Sequence, residues 1–431
     1  MNTKKTLAAL SASLLTISAF GSGFGLYQAS ATAHAMGGAL VGKAMDASAN
    51  FLNPATLTDL TNAQVTVGFI TEHPRGTVSV NGTKQNMDPG LFWLPHVMVA
   101  VPLPADLTFG LGISAEYGLG TEYAKNWLMN WSCYETTVQG LVVNPNLAYK
   151  ITDKWSIAAG LRWLYFDFEQ YKRMDFNYVH AQLGKMPVGS MTYRLKGDNG
   201  WDGLGWQIGT KYDILDNLSV GIMYKAAIDT TIKGHTSAKA SVKNAVLNGY
   251  GYNLEQRAAG MTGDADADIT LPQSVTFGIN WEPAEKWHTG ISISWTEWSE
   301  FDQLIFNIPQ NGVKTPSPIK LNWNDTWRGS LGVAYDFLDD WTAMISYTYD
   351  MDCTDSHQES AMLPPASRHI LAGGLVWDVG WGFEAALSYS CIFMNGFDMH
   401  TTDKITGSGD HTLKTKRGFC HAGGFSLTYK F

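Results

Sequence analysis

The side chains with most chemistry to offer are three cations, Arg162, Lys225 and Arg328, each on the polar phase of an otherwise apolar alternating segment. A carboxylate carried into a low-dielectric pocket needs a cation to balance its lost hydration, and the fork of Arg matches its two oxygens. The same three residues, paired with acids such as Asp336, would merely fill an interior, and strand phase alone leaves both readings open. Patterns for bond-making chemistry are thin. There is no GxSxG, no HExxH and no phosphate-binding loop, Gly110-Leu111-Gly112 reads as a strand glycine pair, and His288 and His369 lack identifiable Ser and acid companions. No enzyme activity and no cofactor are expected. Asp264, Asp266 and Asp268 could hold a divalent cation, but a solvated loop is the simpler reading, so no metal site is expected either.

The elements that position the three cations must be strands. The chain has 431 residues, 45% hydrophobic and 16% charged, with 44 Gly, 16 Trp, 18 Tyr and 19 Phe. Its mean hydropathy is only -0.11. No stretch beyond the first residues approaches the roughly 18 apolar residues of a spanning helix, yet aromatics and glycines are in excess. That combination fits a transmembrane β-barrel, whose outward apolar residues are averaged against inward polar ones. Alternation runs from Ala63 to the last residue. Val275, Phe277, Ile279 and Trp281 alternate with Ser274, Thr276, Gly278 and Asn280; Leu331, Val333, Tyr335 and Phe337 do so with Ser330, Gly332, Ala334 and Asp336. A soluble sandwich alternates too, so the connections decide.

Six connections are short and polar: Pro104-Ala105-Asp106, Thr152-Asp153-Lys154, Asp213 to Asn217, Pro283 to Lys286, Leu338-Asp339-Asp340 and Asp378-Val379-Gly380. Long stretches near 73–90, 120–134, 170–199, 232–268, 300–320, 351–366 and 395–418 lie between them. Trimmed turns on one rim and long loops on the other are the asymmetry of an outer-membrane barrel. Counting between connections gives fourteen strands in an all-β, antiparallel transmembrane barrel, with both ends at the periplasmic rim. Trp155, Trp287, Trp341 and Trp381 each follow a short turn, where an aromatic belt would meet the headgroups. The last strand, with Phe425, Leu427, Tyr429 and Phe431 on one face, resembles the C-terminal strand that barrel assembly machinery recognises. Outer-membrane lipid, lipopolysaccharide and that machinery are therefore expected partners, in the outer membrane of a Gram-negative bacterium.

Lys4 and Lys5, the apolar Leu7 to Phe20 and the small Gly21-Ser22-Gly23 have the order of a cleavable export signal, with cleavage near Gly21. Loss of both lysines takes the net charge from -9 to -11, which argues against nucleic acid as a partner. The expected division is a signal over 1–21, a plug over 22–62 and the barrel over 63–431. Cys133, Cys353, Cys391 and Cys420 form no CxxC; one or two disulfides or free thiols are both open, and a bridge between Cys391 and Cys420 across the last hairpin is geometrically possible.

The run Gly25-Leu26-Tyr27-Gln28, then Met36-Gly37-Gly38-Ala39, Asp46-Ala47-Ser48 and Phe51-Leu52-Asn53-Pro54-Ala55, resembles the N-terminal hatch of the FadL family of outer-membrane long-chain fatty acid and hydrocarbon transporters. Leu271-Pro272-Gln273-Ser274 and the stretch Trp295-Thr296-Glu297-Trp298-Ser299 to Phe301-Asp302 resemble that family too. The resemblance implies a fourteen-stranded barrel blocked by a hatch, capture of hydrophobic molecules at extracellular loops, an inner pocket, and sideways release through a gap in the wall. It gives Asn53, Pro54 and Ala55 a gating role. Pro54 biases Asn53 away from helix, and the Asn53 amide can satisfy backbone groups that have no sheet to pair with. In the implied capture region, Met174, Phe176 and Tyr178 are candidate substrate contacts, although packing of the loops onto each other explains them equally well. Ala238, Val242, Ala245 and Val246 recur at helical spacing, which predicts a helix within 237–258 ended by Gly249. The leading functional expectation is passive fatty acid uptake. Aromatic or alkane hydrocarbon uptake, and after it a general porin or a surface adhesin, are the rivals.

Overall fold

The computed structural model describes residues 23–87, 90–354, 366–396, 398–403, 409–415 and 418–431, so the expected export signal lies outside the described residues. Among them fourteen strands pair antiparallel into one ring. They are Gln64–Val80, Phe92–Leu103, Leu107–Glu122, Glu135–Thr152, Trp155–His180, Gly203–Leu215 and Leu218–Lys225, then Ser274–Trp281, Trp287–Thr296, Thr326–Leu338, Trp341–Asp350, Arg368–Gly380, Phe383–Met394 and Gly418–Lys430. The last joins the first over twelve pairs, from Gln64↔Lys430 to Arg75↔Phe419, so the ring keeps no free edge. Alternation sets which way each side chain points. Val275, Phe277 and Trp281 lie on the exposed, lipid-facing side while Gly278 and Asn280 are buried in the lumen.

The short turns fall where the sequence puts them, with one correction. The strand Arg368–Gly380 absorbs the expected Asp378-Val379-Gly380 turn through an irregularity at Val379, and Trp381 and Gly382 make the turn themselves at φ +54° and +82°. Trp381 therefore sits in the turn, 91% exposed, instead of after it. Trp155 and Trp287 are exposed at the starts of their strands, and Trp341 stacks on Trp377 with centroids 5.3 Å apart.

The opposite rim carries more regular structure than expected. The 170–199 stretch is a hairpin, in which the upper half of Trp155–His180 pairs with Gly184–Asp198. That sheet continues through Ile228–Val242, Gly263–Leu271, Gln303–Gln310 and the edge strand Val313–Lys320. Ala238 and Val242 thus lie on a strand. The helical turns begin only at Ala245, pass a kink at Tyr250 and Gly251, and continue as Leu254–Gly260, so Gly249 does not end them. Asp264, Asp266 and Asp268 are strand residues held across the sheet by His235, by Lys314 and Asn307, and by Thr231. All four cysteines are free. Register explains the last pair: Cys391 stands opposite His421, so Cys420 points to the other face of the sheet and no bridge can form.

The residues before Gln64 fill the lumen, which in a fourteen-stranded ring is too wide for wall side chains alone. Ser30 caps the helix Ala31–Ala35 by accepting the Ala33 amide, and its hydroxyl donates to Asp46 at 2.6 Å. His34 lies between Ser388 and Ser390 of the wall, at 3.0 and 2.8 Å. Close approach of this segment's backbone explains glycines on the wall. A Cβ at Gly221 would lie 2.0 Å from the Val41 carbonyl oxygen, and one at Gly290 would lie 1.9 Å from that of Ala39.

Candidate functional site

Arg162, Lys225 and Arg328 come from three strands far apart in sequence and converge on one small lumen cavity of about 90 Å³. Glu116, which sequence reasoning did not single out, organises two of them. Its Oε2 takes Arg162 Nη2 at 2.5 Å and its Oε1 takes Lys225 Nζ at 2.7 Å. Arg162 is fully buried and also donates to Tyr117 Oη and the Ala226 carbonyl, each at 3.1 Å. A buried ion is tolerated only with close partners of this kind. The signal for Glu116 was present: Gly110, Gly112 and Ser114 share its inward phase, on which it is the first acid of the strand.

Arg328 is different. Among the described residues it makes no ion pair within 4 Å; its Nη2 donates to the Gly37 carbonyl at 3.3 Å, and its guanidinium lies 4.2 Å from the centre of the Tyr27 ring. Asp336, the expected partner, instead accepts from His288 and Thr342 at the periplasmic end. Two cations share one carboxylate here, while Arg328 stands across the ladder from Asp350 without an ion pair to it within 4 Å.

The wall beside this cavity is broken. The ladder between Phe92–Leu103 and Leu107–Glu122 ends at His96↔Ser114, while Phe92 to Pro95 stay paired to the first strand. At that point the second of these strands bulges, with Glu116 left out of register between Ala115 and Tyr117. Hatch backbone takes over some of the lost bonds: Leu26 N donates to the Glu116 carbonyl at 2.8 Å and Gly118 N to that of Phe24 at 2.9 Å. A second, larger and more apolar cavity of about 460 Å³ lies here, lined by Leu26, Tyr27, Tyr117 and Leu119 inside and by Trp93, itself 60% exposed, on the outer face.

Asn53 anchors the hatch below. It is extended, at φ -164° and ψ 104°, and Pro54 opens the short 3₁₀ helix Pro54–Asp59. Its amide nitrogen donates to the carbonyls of Val41 at 2.7 Å and Thr210 at 3.0 Å, and its oxygen accepts the Ala55 amide at 3.1 Å. One side chain thus ties two hatch segments to the wall. Met174, Phe176 and Tyr178 lie elsewhere, on the extracellular sheet. Met174 and Phe176 are buried, Arg257 of the helix Leu254–Gly260 covers the Phe176 ring at 5.1 Å, and none of the three lines either lumen cavity.

Comparison with known proteins follows this geometry closely. The model of a family described as outer membrane protein transport protein (OMPP1/FadL/TodX) matches residues 12–431. A long-chain fatty acid transport protein of Escherichia coli O157:H7 is 23% identical over 423 residues, covering 91% of this chain and 92% of its own. The crystal structure of a Pseudomonas aeruginosa FadL homologue superposes with a TM-score of 0.80 at 20% identity, covering 95% of this chain and all of the other. That of a Pseudomonas putida toluene transporter, TodX, gives 0.69 at 18%, covering 95% and 99%. A family match over nearly the whole chain and a closed fourteen-stranded ring agree: this chain is an outer-membrane β-barrel of Gram-negative type and belongs to the OMPP1/FadL/TodX family of outer membrane transport proteins.

Proposed function

We propose that this protein admits hydrophobic molecules passively across the outer membrane, and that its preferred cargo is an amphiphile with an anionic head, a long-chain fatty acid. The observation that carries this reading is the lumen cavity in which Glu116 holds Arg162 and Lys225 while Arg328 keeps no ion pair within 4 Å, next to a more apolar cavity that can take an alkyl chain. A neutral hydrocarbon gains nothing from a guanidinium that is not held in a close ion pair; a carboxylate does. Extracellular loops capture the cargo, with Met174, Phe176 and Tyr178 stiffening the platform. Arg328 receives the head, and the chain leaves sideways through the break between Pro95 and Ala115. Asn53, Pro54 and Ala55 hold the hatch that controls this step. No bond is made or broken. The second reading, uptake of neutral aromatic hydrocarbons, is favoured by the apolar lining of the larger cavity and by the likeness to a toluene transporter. The test is uptake of a labelled long-chain fatty acid and of labelled toluene by cells lacking their own transporter. Faster entry of the fatty acid alone supports the first reading. Entry of toluene alone replaces it with the second, and no gain for either removes both.

A further inference from the structure

The outer wall carries polar groups that neither lumen cavity uses. The strands Trp341–Asp350, Arg368–Gly380, Phe383–Met394, Gly418–Lys430 and Gln64–Val80 stand side by side, and their outward phase between the two rims holds no carboxylate. Two histidines lie on it, each tied to a tyrosine of the adjacent strand. Tyr347 Oη is 2.8 Å from His369 Nδ1, and Tyr389 Oη is 2.6 Å from His421 Nδ1. A phenol that donates to Nδ1 leaves the ring proton on Nε2. Cys391 supports that order in the second pair, since its Sγ donates to Tyr389 Oη at 3.5 Å. Among the described residues neither Nε2 has a hydrogen-bond partner, and neither ring is buried. Height decides what these donors meet. His369 and His421 each lie eight residues along the strand from an aromatic of the periplasmic rim, Trp377 and Tyr429. At about 3.4 Å per residue and a tilt of about 40° the rise is about 20 Å, close to the top of an apolar band about 25 Å tall. An N–H in hydrocarbon without an acceptor is costly, so both rings call for headgroup oxygens.

Just below, the wall is hollowed. Ile345, Gly373, Tyr389, Gly423 and Thr71 form one row across the five strands, so the Tyr389 ring stands between two glycines. A Cβ at Gly423 would come no nearer than 3.7 Å to any atom, and its φ is not positive, so neither packing nor backbone asks for glycine there. Exposed Leu371, Leu375 and Leu387 edge the hollows. We propose that this face is a binding site for the lipid A part of lipopolysaccharide, with His369 and His421 each donating to one of its two phosphates and acyl chains seated beside Tyr389. The histidines are two strands and two residues apart, about 12 Å, which suits a disaccharide with a phosphate at each end. A glycerophospholipid, with one phosphate, meets only one of them. Arg75, exposed at the end of the row His369, Phe393, Phe419, adds a cation to the same face. The site lies outside the barrel and is independent of what the lumen carries.

Native mass spectrometry of the purified protein in detergent, with lipid A added, reads the site directly. The protein should keep one bisphosphoryl lipid A at collision energies that strip phosphatidylethanolamine. It should bind the monophosphoryl form about tenfold more weakly, the worth of one hydrogen bond to a charged group. His369→Phe combined with His421→Phe keeps aromatic rings at the girdle but removes both donors, and should lower binding of bisphosphoryl lipid A to the level of phosphatidylethanolamine. Should this variant not fold, Gly423→Leu decides, because it fills one hollow, leaves both histidines in place and should also weaken lipid A binding. Phosphatidylethanolamine held as firmly as lipid A by the parent overturns the proposal. So does equal binding of the two lipid A forms, or undiminished binding of the bisphosphoryl form in either variant, which would reduce these residues to an ordinary aromatic belt.

Discussion

Two buried arginines in one cavity differ in what their removal should do. Arg162 is ion-paired to Glu116 and bonded to Tyr117 and a backbone carbonyl, so it belongs to the barrel's own balance of charge. Arg328 has one hydrogen bond, to the Gly37 carbonyl, rests on the Tyr27 ring and makes no ion pair within 4 Å among the described residues, so it has capacity left for a ligand. Arg328→Gln should lower fatty acid uptake about tenfold, the worth of one charge-assisted hydrogen bond of roughly 1.5–3 kcal/mol, and leave toluene entry unchanged; equal loss of both would deny Arg328 any role with the carboxylate. Asn53→Ala removes a side chain that satisfies two carbonyls and one amide in a dry setting, at a cost of about 1–3 kcal/mol, and should appear as frequent channel openings in planar bilayers. At this scale the sequence was legible through phase. Alternation correctly turned Arg162, Lys225 and Arg328 inward, but could not say which acid would meet them, because Glu116 lies 46 residues from Arg162 and 109 from Lys225. Partners across a barrel are fixed by register, which composition does not carry.

Single strands and turns were legible wherever one face meets lipid and the other the lumen. Extracellular elements were not, since their strands face other loops, and the two-residue rhythm is replaced by mixed apolar and polar positions that imitate a loop near 170–199 and a helix near 237–258. Their edge shows why they still do not aggregate: Val313–Lys320 carries Pro316 and Pro318 and ends in Lys320, which denies a neighbouring strand its donors. The element that matters most, the irregularity at Glu116, leaves no mark in the alternation, because Ala115, Glu116 and Tyr117 read as ordinary phase. Its removal is nonetheless a clean experiment. Deleting Glu116 restores two-residue pairing past Ser114 and lets Phe92 to Pro95 regain a neighbour, at the loss of the acid that balances Arg162 and Lys225. A companion Arg162→Gln in the same chain relieves that imbalance. Uptake of every hydrophobic substrate should then fall to the level of empty cells while the barrel keeps its heat-modifiable band on gels; undiminished uptake would place the exit elsewhere.

For the molecule as a whole, the question is whether cargo leaves sideways or through the floor, and the hatch offers a way to separate the two. Its periplasmic end is fastened by ion pairs to the wall: Lys43 to Glu282 at 2.5 Å, and Asp59 to Lys211. Glu282 continues the network through His288 to Asp336, at 3.1 and 2.9 Å. These contacts are far in the fold from the break beside Glu116, whose hatch partners are Phe24 and Leu26. Replacing both fastenings, Lys43→Met with Asp59→Asn, loosens the floor and leaves the wall alone. If cargo exits sideways, this variant should pass ions in a planar bilayer and admit bulky hydrophilic antibiotics, yet take up fatty acid no faster than the parent. If cargo exits through the floor, ion conductance and fatty acid uptake should rise together. The Glu116 deletion supplies the converse, with uptake lost and conductance unchanged. A plug that only blocks an axial pore cannot produce both results, because one path would then carry ions and cargo alike. A hatch that seals one path while its first residues border another can.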